Sequence, residues 1–322
     1  MLTVGQAIGG TTVMDDESIH ADVTLRVRGL RMRYGTTDVL QGVDFEARRG
    51  EVLALLGPNG AGKSTTIEIL EGFRLRSAGE VEVLGVDPAR ADNLWRARIG
   101  IVLQSWRDHG KWQVRDLLAH MGDHYRDYST EQRTRPRDVD ELIEAVGLQA
   151  HAGKQISTLS GGQRRRLDVA IGLVGNPEVL FLDEPTTGFD PEARREFHNL
   201  IRGLTLSDTT VLLTTHDLDE AEKLAHRVVI LVGGRIVADG AAVELARKIA
   251  ALDEVSWTFE DRHHSEKTSD STEFVRNLLT THGGAITDLA IRKADLEDTY
   301  LALVRASAPE VEIEQTAEGS TR

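Results

Sequence analysis

The clearest chemistry in the sequence lies in a glycine-rich run that carries one lysine and one serine. It follows an apolar segment, Val52–Leu56, and leads into a helical pattern. Glycines let backbone N–H groups converge on phosphate oxygens at a helix N-terminus, while lysine adds positive charge and a serine hydroxyl suits Mg²⁺. The run predicts a loop that binds a nucleoside triphosphate, made of Gly57, Pro58, Asn59, Gly60, Ala61, Gly62, Lys63, Ser64 and Thr65.

Two acidic residues follow another apolar segment, Val179–Leu182. Asp183 ends this predicted strand, so its carboxylate is expected at the sheet edge beside the phosphate loop, where it can bind Mg²⁺. Glu184 faces a different direction and suits a general base that polarises the attacking water. The alternative is an acidic pair that only caps the next turn, and the phosphate loop upstream makes that alternative the weaker one.

A second glycine pair lies between the phosphate loop and the acidic pair, in the run Leu159-Ser160-Gly161-Gly162-Gln163. A serine followed by two glycines can open a helix and aim a hydroxyl and bare N–H groups at an anion. The phosphate loop, this run and the acidic pair, in this order, predict an ATP site.

With these motifs in place, residues 23 to about 240 resemble the nucleotide-binding subunit of an ABC transporter. The resemblance implies that Tyr34 stacks on adenine and that Gln104 touches Mg²⁺ and signals to the membrane partner. It also implies that Ser160, Gly161 and Gly162 bind a γ-phosphate held by a second subunit. ATP and Mg²⁺ are the expected ligands.

Two further roles follow from the resemblance. Asp190 resembles the carboxylate that crosses the dimer interface, and His216 resembles the histidine that contacts the γ-phosphate. His216 follows the predicted strand Val211–Thr215, where an imidazole can donate to a phosphate oxygen and keep Glu184 oriented. Because both halves of a site are present, we expect a homodimer to suffice, with a heterodimer of paralogous ATPases as the alternative. Phe189 stands where leucine is usual, and we expect hydrolysis to tolerate this apolar change.

The segments Thr214–Glu222 and Asp295–Leu303 resemble the drug- and antibiotic-resistance exporter branch, which includes daunorubicin exporters. This implies a separate membrane permease as partner and a position at the cytoplasmic face of the membrane. Soluble ABC ATPases that act on ribosomes are the alternative, although they typically carry two cassettes in one chain. DNA-repair relatives contain a long coiled coil, and no heptad run separates Ser64 from Leu159.

The expected fold class is α/β, a P-loop NTPase with a mixed sheet core, an antiparallel β subdomain, a helical insertion and a small α+β accessory domain. We expect an ABC ATPase domain over residues 22–240, with its helical subdomain at about 105–174, and an accessory domain over 241–305. The accessory domain contains a charged segment, Glu260–Asp270, expected to be a loop. Residues 1–21 and 306–322 lack periodicity and are expected to be flexible tails.

Composition excludes several functions. The formal net charge of −14 disfavours nucleic acid as a partner, and the absence of cysteine excludes disulfides and thiolate chemistry. We expect no signal peptide and no membrane span. The run Arg164-Arg165-Arg166 is expected on a solvated or interface-facing helix surface. His263 and His264 are expected to be exposed loop residues without a metal.

Large apolar side chains in a polar segment suggest a contact with the permease. The segment Gln104–Leu118 contains Trp106 and Trp112. Such side chains are costly to leave in water and are enriched in protein interfaces, so we expect them to receive a cytoplasmic helix of the permease. Packing within the helical insertion is the alternative for either tryptophan.

Overall fold

The computed structural model describes residues 22–102, 109–186, 188–205, 208–245 and 252–293, together with residues 297, 300 and 303. The strands in this part of the chain are β1 Val23–Tyr34, β2 Thr37–Arg48, β3 Val52–Leu56, β4 Ala78–Val83, β5 Ile99–Val102, β6 Val179–Asp183, β7 Thr210–Thr215, β8 Arg227–Val232, β9 Arg235–Gly240, β10 Asp253–Phe259, β11 Arg262–Thr268 and β12 Ile286–Arg292. The α-helices are α1 Lys63–Leu70, α2 Asn93–Arg96, α3 Val114–Asp123, α4 Val139–Ala145, α5 Gly161–Leu173, α6 Pro191–Thr205, α7 Leu218–Leu224, α8 Ala242–Leu245 and α9 Ser271–His282.

The central sheet has the strand order β5-β6-β7-β3-β8-β9. All neighbours are parallel except β8 and β9, which are antiparallel. Its inner strands are nearly continuous apolar runs because both faces of the sheet are covered. The strands expected at Val52–Leu56, Val179–Leu182 and Val228–Val232 are therefore confirmed as β3, β6 and β8.

Side chains of β3 alternate between two hydrophobic clusters. Leu53 and Leu55 belong to the cluster shared with the first antiparallel sheet. Val52, Ala54 and Leu56 belong to the cluster shared with α3, α4 and α5. Full burial of one leucine side chain contributes about 1.5–3 kcal/mol, so this strand is fixed from both faces and can hold a loop rigidly at its carboxyl end.

A second sheet is antiparallel, with the order β2-β1-β4. It provides the expected antiparallel subdomain, and β1 is longer than the alternating stretch Val23–Val27 that indicated it. The sequence analysis did not predict β2, although Leu40, Val43, Phe45 and Ala47 are buried along it. Their alternation is broken around Gly42, which has a φ of +92°, and that break obscures the strand period.

Helices occupy the chain between β5 and β6, as expected for a helical insertion. The helix α3 begins at Val114, and Leu117 and Leu118 are fully buried. The helix α4 starts after Asp138, whose side chain accepts hydrogen bonds from the N–H groups of Asp140 and Glu141. These helices place α5, with Ser160 at its N-cap, against the central sheet.

The third sheet has the order β11-β10-β12, and α9 lies nearby in sequence and in contact with β10. The prediction of a loop over Glu260–Asp270 was wrong, because only Glu260 and Asp261 form the turn and β11 follows at once. His263 and His264 lie on this strand, and His264 stacks on Trp257 with a centroid distance of 5.4 Å. The strand escaped prediction because its charged side chains are mostly exposed and give no apolar alternation.

The tails predicted at 1–21 and 306–322 lie outside the described residues, and the domain boundaries at 240 and 305 stay predictions. Within the part of the chain that the structure describes, no helix has the length and apolar character needed to cross a membrane.

Candidate nucleotide site

The phosphate loop connects β3 to α1 and can hold its shape only with glycine at particular positions. Gly62, the N-cap of α1, has a φ of +106°, a value that favours glycine, and no side chain caps the helix. A Cβ on Gly57 would lie 2.3 Å from the carbonyl oxygen of Leu231 on β8. The loop therefore passes close to the sheet and leaves the first N–H groups of α1 for an anion.

Lys63 is the first residue of α1, and its side chain folds back over the loop. Its ammonium group donates to the carbonyl oxygens of Gly57 at 2.6 Å and Pro58 at 3.2 Å. Burial lowers the pKa of Lys63, and the negative charges of Glu184 and Asp183 oppose that shift. The two carbonyl oxygens and the two carboxylates favour the charged ammonium, while burial makes the net change a lowered pKa.

Asp183 ends β6, two strands away from β3, with β7 between them. The hydroxyl of Thr214 on β7 donates to Asp183 Oδ1. Glu184 follows with a φ of +44°, an unusual value for a residue with a side chain. The Glu184 N–H group donates to the backbone oxygen and the hydroxyl of Thr214, both at 3.2 Å.

His216 follows β7 and approaches the acidic pair from the neighbouring strand. Its Nδ1 atom lies 3.1 Å from Glu184 Oε1. The side chain of His216 is 62% exposed, whereas that of Glu184 is 18% exposed. The imidazole can therefore orient the carboxylate and still present its other nitrogen to a ligand.

The loop and the acidic pair line one cavity of about 460 Å³, within the roughly 300–1,000 Å³ of typical ligand pockets. Ser64 and Asp183 supply hydroxyl and carboxylate oxygens on its wall, which fit Mg²⁺. Among the described residues no cluster of three or more histidine, cysteine or acidic residues could hold a metal alone. Such a wall fits an ion that is bound largely through substrate phosphates. The lining residues are Val39, Asn59, Gly60, Gly62, Lys63, Ser64, Thr65, Asp183 and Glu184.

A buried carboxyl group that the sequence analysis missed lies at the other end of α1. Glu71 is 6% exposed. Burial raises its pKa to about 8, and the charges of Asp183 and Glu68 add to the shift. Glu71 therefore holds a proton at neutral pH at the C-terminal end of α1.

The predicted second anion-binding segment does open a helix. Ser160 is the N-cap of α5, where its hydroxyl accepts from the Gln163 N–H group and the Gln163 side chain accepts from the Ser160 N–H group. A Cβ on Gly161 or Gly162 would meet no atom within 4 Å. None of these residues lines the phosphate-loop cavity, so the N-terminus of α5 lies outside that cavity.

Other predicted site residues either do not line the cavity or lie outside the residues that the structure describes. Tyr34 ends β1, and the guanidinium carbon of Arg74 lies 5.1 Å from its ring centroid, so one face of this aromatic is covered. Asp190 Oδ1 accepts from the N–H groups of Glu192 and Ala193 and caps the start of α6. Gln104 and Trp106 lie outside the described residues.

The expectation that Arg164–Arg166 forms a solvated or interface-facing surface was wrong for its central residue. Arg165 is 6% exposed and bonds to the backbone around the acidic pair. Arg166 instead pairs with Glu196 at 2.6 Å. The burial of Arg165 could have been read from the helical period, because it shares the buried face of α5 with Val169 and Gly172.

Comparisons with known proteins bear on this arrangement. A family model described as ABC transporter matches residues 40–187. A daunorubicin resistance ATP-binding protein of Streptomyces coeruleorubidus is 42% identical over 231 residues, which cover 70% of each chain. The chain belongs to the ATP-binding proteins of the ABC transporter family. A Nod factor export ATP-binding protein I of Neorhizobium galegae is 35% identical over 297 residues, covering 87% of this ABC ATPase and 85% of the relative.

Solved structures agree with the fold of this ABC ATPase. The ATP-binding subunit of an ABC transporter matches with a TM-score of 0.62 and 26% identity, over 70% of this chain and 92% of that one. An ATP-binding cassette of an ABC transporter in its ADP conformation matches with a TM-score of 0.60 and 24% identity, over 69% of this chain and 92% of that one. At this identity the match supports the fold alone. The expected P-loop NTPase fold is confirmed, and the activity of the ABC ATPase is ATP hydrolysis.

Proposed function

We propose that this ABC ATPase powers export of a substrate through a separate membrane permease, by hydrolysing ATP within a dimer. The observation that carries the proposal is the cavity in which the phosphate loop meets both carboxylates of the acidic pair. In this reading Glu184 accepts a proton from the attacking water, and His216, 3.1 Å away, orients it and contacts the γ-phosphate. Lys63 and the first N–H groups of α1 hold the phosphates.

Ser64 and Asp183 are the described residues that would hold Mg²⁺, and the resemblance adds Gln104. When bound, Mg²⁺ neutralises charge on the phosphate oxygens. The resemblance assigns Tyr34 to adenine. Arg74 covers one face of the Tyr34 ring, so the base would stack on the other face.

The separation of the N-termini of α1 and α5 supports the proposed dimer. The N-terminus of α5 has donors but lies outside the cavity of its own chain, so we propose that the phosphate it binds comes from a second subunit. Asp190 is proposed to cross the same interface. Glu184→Gln should slow hydrolysis and trap the dimer, so light scattering with Mg-ATP should give about twice the monomer mass. A monomer at high concentrations of protein and nucleotide would contradict the proposal.

A permease is the proposed second partner, placing the chain at the cytoplasmic face of the membrane. Two relatives are named for drug resistance and for Nod factor export, which supports export as the direction. Trp112 is 38% exposed just before α3, and its ring contacts the rings of His109 and His120. An exposed aromatic of this kind suits a protein contact.

The permease contact is tested with Trp112→Ala. Transport and recovery of the permease in a pull-down should fall, while the basal ATPase rate and melting temperature of the isolated subunit stay unchanged. Trp95, which is 2% exposed, is the matched control, since Trp95→Ala should lower the melting temperature instead. A loss of several degrees in Trp112→Ala would place Trp112 in the core. Recovery of ribosomes in place of a membrane protein would favour the other class of ABC ATPase.

A further inference from the structure

Arg165 bonds to three consecutive backbone oxygens of the segment that carries the acidic pair. Its Nε atom donates to Pro185 O at 2.9 Å. Its Nη2 atom donates to Asp183 O at 2.9 Å and to Glu184 O at 3.3 Å. A guanidinium group presents several donors in one rigid plane, so a single side chain can fix this whole turn of backbone.

The backbone that Arg165 holds is strained. With its φ of +44°, Glu184 occupies a region that residues with side chains disfavour, and such strain persists only where surrounding groups enforce it. Thr214 holds the N–H side of Glu184, while Arg165 holds its carbonyl side. The direction of the Glu184 carboxylate therefore depends on both contacts.

The surroundings of Arg165 are built for a buried cation. Its burial lowers its pKa, and the charges of Asp168, Asp183 and Glu220 oppose that shift. Arg165 is 6% exposed and Glu220, on α7, is 1% exposed, so both charged side chains are buried. Leaving three carbonyl groups without their donor in such a place would let the turn relax.

Arg165 also lies on the helix whose N-cap is Ser160. A helix moves as a rigid unit, and five residues amount to less than two turns. We propose that Arg165 is a positioning residue that couples the N-terminus of α5 to the backbone of Glu184, so that engagement of Ser160 by the partner's nucleotide aligns the base of this chain's own site. The inference rests on the proposed roles of Glu184 and Ser160 and adds the link between them.

The test compares Arg165→Lys and Arg165→Gln with the matched control Arg166→Lys. Lysine keeps the charge, but its single nitrogen cannot replace Nε and Nη2 of Arg165, which share the three bonds. Misplacement of a catalytic group by about 1 Å can cost roughly 10²-fold in rate. We expect Arg165→Lys to lower kcat between roughly 10- and 10²-fold, with the affinity for a fluorescent ATP analogue within about twofold of wild type. Arg165→Gln should fall at least as far, and Arg166→Lys should retain kcat. If Arg165→Lys loses nucleotide affinity and melting temperature together with kcat, the residue only supports the fold and the proposal is overturned.

A double variant separates this inference from the function on which it rests. In the Glu184→Gln background, Arg165→Lys should lower the residual turnover by less than twofold, because both changes act on the same base. An additive loss there overturns the coupling of Arg165 to Glu184. If Glu184→Gln alone leaves turnover unchanged, the proposed base is wrong. If Glu184→Gln is inactive but Arg165→Lys is fully active, only the inference about Arg165 fails.

Discussion

In the described part of the chain, α1 has a glycine at its N-cap and α5 begins with two glycines, so both helices can present backbone N–H groups to an anion, but of these two α1 alone has a complete site around its N-terminus. At α1, Gly62 leaves the N-terminus uncapped, and Lys63, Asp183 and Glu184 line the same cavity. At α5, Ser160 and Gln163 cap each other, and open space surrounds the glycines. The N-terminus of α1 is therefore part of a binding site within one chain, whereas the N-terminus of α5 provides only some of the groups that a binding site needs.

The largest expected effect comes from Glu184, in the cavity at the N-terminus of α1. Glu184→Gln keeps the size of the side chain but removes the proton acceptor, so turnover should fall by roughly 10²–10⁴ while ATP still binds. Steady-state ATPase rates and nucleotide affinity measure the two effects separately.

Lys63→Ala is the contrasting variant, because it removes a phosphate contact. It should weaken nucleotide affinity itself.

Equal turnover in wild type and the Glu184→Gln variant would show that Glu184 is not the base.

Gly62→Ala and Gly162→Ala should have different effects at the N-termini of α1 and α5. Gly62→Ala places a Cβ 2.6 Å from Leu40 at a φ of +106°, so both melting temperature and ATP affinity should fall. Gly162→Ala meets no atom of its own chain, and alanine favours the helix by up to about 1 kcal/mol. Its melting temperature should be equal or higher, whereas turnover should fall roughly 10-fold or more, because the methyl group would displace an anion from backbone donors.

Thermal unfolding, nucleotide affinity and ATPase rates of both alanine variants decide the matter. Full turnover of the Gly162→Ala dimer would show that the second helix start binds no phosphate.

The smallest expected effect concerns the proton on Glu71. The folded pKa of about 8 exceeds the ordinary 4.5, so the folded state binds more protons than the unfolded state between these values. The stability from this group is fully present below pH 4.5 and is lost as the pH rises through 8. Glu71→Gln should therefore gain melting temperature relative to wild type at about pH 9, and less at about pH 6.

Glu68→Gln, on the same helix, removes a charge that helps to raise the pKa of Glu71, so it should move the loss of stability to lower pH without abolishing it. An equal change at both pH values for Glu71→Gln would show that the Glu71 carboxyl does not titrate in this range.

The sequence predicted the phosphate loop at the N-terminus of α1 and the strand before it, but it predicted less of the structure around them. Gly57–Ser64 and the strand before it are local patterns, so spacing and apolar runs were sufficient. Arg165 was misread because three adjacent arginines usually indicate a solvated face, and only the tertiary structure shows the carbonyl oxygens that receive the central one. The strand β11 was missed for the related reason that exposed charged residues carry no burial pattern.

The position of β3 in the central sheet has a consequence for how the protein is made. Its two neighbours come late in the chain, since Val52 pairs with Val211 and Leu53 pairs with Arg227. Pairings between distant segments carry a large loop-closure cost and form slowly. During synthesis the phosphate loop therefore leaves the ribosome long before the strands that hold it in place. We therefore expect a nascent chain to lack a competent nucleotide site until β8 has emerged, and fragments that end before β8 to bind no ATP.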